Sequence, residues 1–156
     1  MDLFEDEIIL FFKNLTEQNV SFILVGGLAV NYHGFNRSTG DIDIWIKDSK
    51  ENREKFIGAL KNYGIEGAEV YYDLPFIAGY SELMLDNGMR IDLMSDLQFF
   101  KQEKYEECYN LANTFDLTNE VQIKVIHINT LISEKDQSKR PKDTIDAEAL
   151  KKLYRS

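Results

Sequence analysis

Two aspartates that alternate with isoleucines have the types and spacing expected of metal ligands. Asp41 and Asp43 are separated by Ile42 and followed by Ile44, and residues two apart on a β-strand point to the same face of the sheet. Two carboxylates on one face repel each other unless a positive charge lies between them. The pattern therefore predicts a hard divalent cation, Mg²⁺ or Mn²⁺, as cofactor. Taken alone, the pair is more typical of two surface aspartates on an edge strand.

At two further sites the residue type is unusual for the secondary structure predicted there. Asp92 lies between Ile91 and Leu93, although aspartate is depleted in strands. Gly26 and Gly27 end an apolar run, where they would let a phosphate approach backbone N–H groups at a helix start, although a tight turn would need the same glycines. Several such departures in one chain are more typical of a functional site than of a scaffold.

Apolar periodicity and turn signals predict the elements that position these residues. Helical spacing predicts helices over residues 2–18, 28–33, 51–63, 101–109, 129–139 and 143–154. Apolar runs and alternation predict strands over residues 21–25, 41–46, 69–72, 76–85, 89–94 and 121–128. The segment Asp86-Asn87-Gly88 predicts a hairpin turn. Because no linker or repeat is present, we expect one α/β domain over residues 1–156, an α+β arrangement with a mixed sheet flanked by helices.

Composition limits the class of protein. Apolar residues make up 44% of the 156 residues, and no window approaches the roughly 18 apolar residues that a membrane span requires, so we expect no membrane partner. An acidic N-terminus and a single cysteine favour a cytoplasmic location.

The charge is distributed unevenly along the chain. The net charge of −9 argues against a protein that coats nucleic acid. Residues 1–134 carry 11 basic and 23 acidic side chains, whereas residues 135–156 carry 7 basic and 4 acidic ones. The basic tail is either a solvated helix face or a surface that faces nucleotide phosphates.

Other chemically reactive residues are expected to have structural roles. His33 and His127 suit packing or capping, and with Cys108 unpaired the sequence does not predict a zinc site. Asp143 and Asp146 are expected in the first turn of the last helix, where acidic side chains interact favourably with the helix dipole.

The order and spacing of these motifs resemble the polymerase-beta-like nucleotidyltransferase superfamily. That signature is Gly-Gly or Gly-Ser, then Asp-h-Asp-h and a later h-Asp-h, where h is apolar. The tail from Lys135 to Asp146 resembles the closing motif of abortive-infection toxin nucleotidyltransferases and uncharacterised bacterial relatives, a lysine followed by Arg-x-x-Asp-x-x-Asp. The similarity runs from about Ser21 to Leu150. Two departures are Gly27, where many members have serine, and the lack of the extra helical domain of larger members.

The resemblance implies a nucleotidyltransferase fold and a metal-dependent transfer of a nucleoside monophosphate from a nucleoside triphosphate to a hydroxyl. The acceptor would be a protein, tRNA or small molecule. The implied catalytic and metal-binding residues are Asp41, Asp43 and Asp92, with Asp92 able to accept the proton of the attacking hydroxyl. The implied nucleotide-binding residues are Gly26, Gly27, Arg37, Lys135 and Arg140.

The resemblance also suggests a place in a toxin–antitoxin system, with a cognate antitoxin or regulator protein as partner. Two alternatives stay open: a catalytically silent nucleotidyltransferase-like binding module or antitoxin, and an antibiotic-modifying nucleotidyltransferase. Three mutually repelling acids favour an enzyme over an inert module. The acceptor, the nucleobase and the oligomeric state are left open by the sequence.

Overall fold

A computed structural model describes residues 3–155 of the chain. The strands are β1 (Phe22–Val25), β2 (Asp41–Ile46), β3 (Glu82–Met84), β4 (Arg90–Met94), β5 (Asn113–Asp116) and β6 (Gln122–Val125). The helices are α1 (Asp6–Glu17), α2 (Gly26–Tyr32), α3 (Lys50–Tyr63), α4 (Tyr105–Leu111), α5 (Ile128–Gln137) and α6 (Pro141–Arg155). Short 3₁₀ helices cover Ala68–Tyr72 and Gln102–Lys104. Residue 2 of the predicted first helix, and residues 1, 2 and 156 of the predicted domain, lie outside the described residues.

The six strands form one mixed sheet in the order β3-β4-β2-β1-β6-β5. The central pair β1 and β2 is antiparallel, whereas β2 pairs with β4 and β1 pairs with β6 in parallel. Both edge strands, β3 and β5, are antiparallel to their neighbours. The mixed α/β architecture with helices flanking the sheet is therefore confirmed.

The core lies where helices cover the central strands. All four residues of β1 and the last three of β2 are buried, as expected for central strands covered on both faces. Helix α1 packs on the sheet through Phe12, whose ring stacks on Phe22 at a centroid separation of 5.7 Å. Helix α3 begins at the Ser49 N-cap, and the buried Asn52 side chain joins it to the backbone of Ser21 and Lys47.

The predicted hairpin at residues 86–88 is confirmed, because β3 and β4 pair on either side of it and Gly88 has a φ of +83°. The predicted strand over residues 69–72 is wrong. Those residues form a 3₁₀ helix, in which buried Tyr71 packs between Phe56 and Phe76. The predicted strand over residues 76–85 is reduced to β3, and β5 was not predicted. Each of the described helices is too short or too polar to span a membrane.

Candidate functional site

The parallel register of β2 and β4 brings the three predicted acidic residues to one end of the sheet. Asp43 lies directly opposite Asp92, and Asp41 is two residues earlier on the same strand as Asp43. Side chains two apart share a face, and adjacent strands are about 4.8 Å apart. The three carboxyl groups are therefore neighbours on one face, with Ile42 and Ile91 pointing into the core behind them.

Burial and the neighbouring charges change the acidity of Asp43 and Asp92. Burial raises the pKa of Asp43 to about 7, and the negative charges of Asp92 and Asp41 add to the effect. The pKa of Asp92 is also raised, chiefly by burial, although the Gly79 N–H donates to both of its carboxylate oxygens at 3.1 and 3.2 Å. A positive charge placed here would be strongly favoured, because it would offset the repulsion among the three acids.

The two glycines before α2 make room for site side chains. Gly26 has a φ of +68°, and a β-carbon at this position would overlap the carboxylate of Asp43. A β-carbon on Gly27 would overlap the Thr39 side chain and lie 3.2 Å from a guanidinium nitrogen of Arg37. The sequence leaves two reasons open for this glycine pair, phosphate access and a tight turn. The contacts add a third, because the Asp43 carboxylate of β2 and the loop before β2 pack directly against the start of α2.

Four side chains tie the end of the chain to the loop before β2, and we call them the α6 latch: Arg37, Lys135, Asp143 and Asp146. The carboxylate of Asp146 is fully buried and accepts two hydrogen bonds from Arg37, at 2.7 and 2.9 Å. Lys135 is only 8% exposed, and its ammonium lies 2.9 Å from Asp146 and 3.0 Å from Asp143. The latch therefore holds α5, α6 and the loop before Asp41 as one unit.

The acids of the latch are held ionised by these contacts. Burial alone would raise the pKa of Asp143, but hydrogen bonds from Arg140, Ser138 and Lys135 outweigh it and hold that pKa well below its usual range. The same balance lowers the pKa of Asp146, where Arg37 and Lys135 are the donors. Helix α6 begins at Pro141, so the predicted first-turn position is confirmed for Asp143 and wrong for Asp146, which lies in the second turn. Both acids also bind cations from outside α6, a role that dipole capping does not include.

A cleft of about 560 Å³ lies between the carboxylate face and the latch. The predicted site residues that line it are Gly26, Gly27, Arg37, Asp41, Asp43, Asp92, Lys135 and Arg140. The structure therefore brings all eight of them together. The three strand aspartates lie on the β2–β4 side of the cleft. The segment from α5 to the start of α6 contributes Lys135, Arg140 and Lys142, together with the acids Glu134 and Asp143.

Sequence reasoning did not identify several residues of the cleft: Thr39, Gln98, Glu134 and Lys142. The Glu134 carboxylate accepts hydrogen bonds from the backbone N–H groups of Gln98 and Phe99 at 2.7 and 2.9 Å, which fixes the loop after β4. Burial raises the pKa of Glu134. Nothing in local sequence predicts this long-range contact, whereas Lys142 lies within the basic Arg-Pro-Lys-Asp segment that was already of interest.

The two histidines are structural, as expected from the sequence. Nε2 of His33 lies 2.7 Å from the carbonyl of Ile126, and burial lowers the pKa of its ring. The His127 ring caps α5 by accepting a hydrogen bond from the Asn129 N–H at 3.1 Å. Neither ring is among the residues that line the cleft.

The donor set fits a divalent ion that shares its coordination with a ligand. Among the described residues, no group of three or more His, Cys, Asp or Glu side chains is placed so that it could hold a metal ion. Mg²⁺ in nucleotide sites is held by one or two carboxylates together with phosphate oxygens, not by an all-protein cage. Asp43 and Asp92, paired across β2 and β4 with Asp41 beside them, provide oxygen donors of that kind.

Comparison with known proteins adds no family assignment. No protein-family model matches the chain. A search of curated protein sequences found no similar protein either. Function must therefore be inferred from the geometry of the cleft.

Proposed function

We propose that the chain is a nucleotidyltransferase that transfers a nucleoside monophosphate from a metal-bound nucleoside triphosphate to a hydroxyl of a protein, tRNA or small molecule. One observation carries the proposal: three carboxylates converge on adjacent parallel strands, across one cleft from Lys135, Arg140 and Lys142. A structural role for this arrangement is difficult to support, because burying like charges together costs stability. The mixed sheet with its hairpin is compatible with the nucleotidyltransferase fold that the motifs resemble.

Each wall of the cleft would have its own part in binding. Asp41, Asp43 and Asp92 would hold Mg²⁺ or Mn²⁺, which when bound supplies positive charge for the triphosphate oxygens. The cations of the opposite wall would meet charge on the phosphates, as positioned donors do in phosphoryl transfer.

Asp92 would accept the proton of the attacking hydroxyl, as the resemblance implies. The Gly79 N–H fixes its carboxylate where it lines the cleft. In the proposed reaction the acceptor oxygen forms a bond to the α-phosphorus and its proton passes to Asp92. The bond from that phosphorus to the bridging oxygen breaks, and pyrophosphate leaves with the electron pair.

The binding half of this proposal can be tested by thermal melting with and without Mg²⁺ and each of the four nucleoside triphosphates. A ligand at 100 times its dissociation constant stabilises the native state by about 2.7 kcal/mol, which is about 5–10 °C for a chain of this size. We expect such a shift for wild type and none for Asp43→Asn. Wild type without a metal-dependent shift for any nucleotide would refute the proposal, and a shift that survives in the variant would place the nucleotide elsewhere.

A catalytically silent nucleotide-binding module is the second candidate. Three cations of the cleft, Arg37, Lys135 and Arg140, already form ion pairs with carboxylates of the chain itself. This pairing favours the silent module, because it leaves these cations less able to stabilise a transferred phosphoryl group. The two candidates differ in turnover. An enzyme incubated with Mg²⁺, α-labelled triphosphate and candidate acceptors releases pyrophosphate and labels one acceptor. A silent module retains the melting shift and does neither.

A further inference from the structure

The cations of the cleft differ in how firmly they are held by the protein. Arg37 donates two hydrogen bonds to the buried Asp146 carboxylate. Lys135 lies between Asp143 and Asp146, with its ammonium 3.0 and 2.9 Å from their oxygens. Arg140 donates to Asp143 through Nε at 2.8 Å. All three of these residues are thus already engaged with carboxylates that are almost entirely removed from solvent.

If one of these cations moved away to bind a ligand, the buried carboxylate that it pairs with would be left without a positive partner. Breaking a buried ion pair by removing one partner is strongly destabilising, because the remaining charge is left uncompensated. A charged hydrogen bond to a phosphate returns less free energy than that loss. Lys135 and Arg37 are therefore poorly placed to leave Asp146 for a nucleotide. Arg140 is 74% exposed but would still give up its contacts with Asp143.

Lys142 differs from these three cations in its surroundings. It lines the same cleft as Asp43 and is exposed at the start of α6. Within the part of the chain that the structure describes, its ammonium has no hydrogen bond or ion pair to any side chain or backbone group. Its charge acts across the cleft, where Lys135 and Lys142 both oppose the rise in the pKa of Asp43. No protein contact has to be broken for this side chain to bind an anion.

We propose that Lys142 is the main phosphate-binding side chain of the cleft and that the α6 latch positions it without contacting the phosphates itself. This inference rests on the proposed function, since it names the residue that recognises the triphosphate. It also assigns Lys135 and Arg37 a positioning role in place of the direct phosphate contact that the resemblance implies.

The test compares Lys142→Ala with Lys139→Ala by titration calorimetry with Mg²⁺ and the triphosphate that wild type binds most tightly. Lys139 is exposed on the same basic segment but does not line the cleft, so its variant removes the same charge at a control position. We expect Lys142→Ala to bind about tenfold more weakly, equivalent to about 1.4 kcal/mol. Lys139→Ala should bind within twofold of wild type, and Lys142→Arg should restore most of the affinity.

Two readouts separate phosphate binding from a structural effect. Ligand-free melting temperatures of both lysine-to-alanine variants should equal that of wild type, and affinity for the matching nucleoside, which has no phosphates, should be unaffected by Lys142→Ala. Equal triphosphate affinity in wild type and Lys142→Ala would overturn the assignment of Lys142 and leave the proposed function intact. An equal loss for nucleoside and triphosphate would also overturn it. Wild type that binds no triphosphate would overturn both.

Discussion

Replacing Asp43 by asparagine should stabilise the metal-free protein at neutral and alkaline pH. The native structure holds this carboxyl at a pKa of about 7, whereas an aspartate in an unfolded chain titrates near 3.9. At about 1.36 kcal/mol for each step of one in pKa, the difference corresponds to about 4 kcal/mol. This value is an upper limit on how much the ionised Asp43 lowers the free energy of unfolding. We expect the free energy of unfolding of Asp43→Asn to exceed that of wild type by about 2–4 kcal/mol.

The sign follows from proton binding. Below about pH 4 the carboxyl is protonated in both states and costs nothing. Between about pH 4 and pH 7 the unfolded state binds fewer protons than the native state, so wild-type stability falls as the pH rises. Above pH 7 the full penalty is present. The stability difference between Asp43→Asn and wild type should therefore be close to zero at pH 4 and largest at pH 8.

Urea unfolding in the presence of EDTA at pH 4, 5, 6, 7 and 8 measures this difference directly. Asp73→Asn is the matched control, because Asp73 is exposed and lies outside the cleft. Its stability should stay within about 0.5 kcal/mol of wild type throughout. Contributions common to both proteins, such as the lowered pKa of His33, cancel in the comparison. Parallel pH profiles for wild type and Asp43→Asn would refute the reasoning.

Three further predictions concern the scaffold. Lys135→Met should destabilise the protein by about 3–5 kcal/mol in urea unfolding, since it leaves two buried carboxylates of the latch short of a cation. Lys151→Met is the control, because it removes a more exposed ion pair and should cost less than about 1 kcal/mol. Equal losses of stability in the two variants would show that the latch is no more stabilising than a surface ion pair. Gly26→Ala should lose about 1–2 kcal/mol from its positive φ and also lose Mg²⁺-triphosphate affinity, because the new β-carbon displaces the site carboxylate. Gly64→Ala is the control, because Gly64 has a φ of +108° and open space around it, so this variant should lose stability but no affinity. Unchanged affinity in Gly26→Ala would be evidence against the contact between position 26 and the Asp43 carboxylate. Asn52→Ala should lower the denaturation midpoint by an amount equivalent to about 2–4 kcal/mol, since three hydrogen bonds of its side chain are lost and backbone groups are left unpaired. A loss below 1 kcal/mol would mean that water replaces them.

The local pattern of apolar and turn-forming residues was sufficient to predict the elements in which that pattern is uninterrupted. The uninterrupted apolar run of β1, the alternation in β2 and the Asn-Gly turn before β4 each have a direct physical cause in the structure. The pattern failed at Tyr71, because one buried ring between two exposed neighbours has the period of a strand although it belongs to a 3₁₀ helix. It also failed at β5, whose pairing with β6 depends on a partner strand and not on its own composition.

The candidate site shows the same division. Asp41, Asp43 and Asp92 could be selected because an aspartate inside an apolar run is conspicuous in one sequence. The contact between Arg37 and Asp146 joins residues 109 positions apart, and no local rule relates them. Lys142 could be distinguished from its basic neighbours only after their partners were known, since charge alone does not tell which cations are already neutralised.

The α6 latch has a consequence for biosynthesis. Both strands that carry the carboxylates precede Gln98 in the chain, while the carboxylates that anchor Arg37 and Lys135 come from the helix that follows the whole sheet. Domains fold while the ribosome is still adding residues. Until α6 has been synthesised, Arg37 and Lys135 lack the buried carboxylate that holds them in the folded chain. The latch therefore forms only after the strands that carry the three acidic residues have been synthesised.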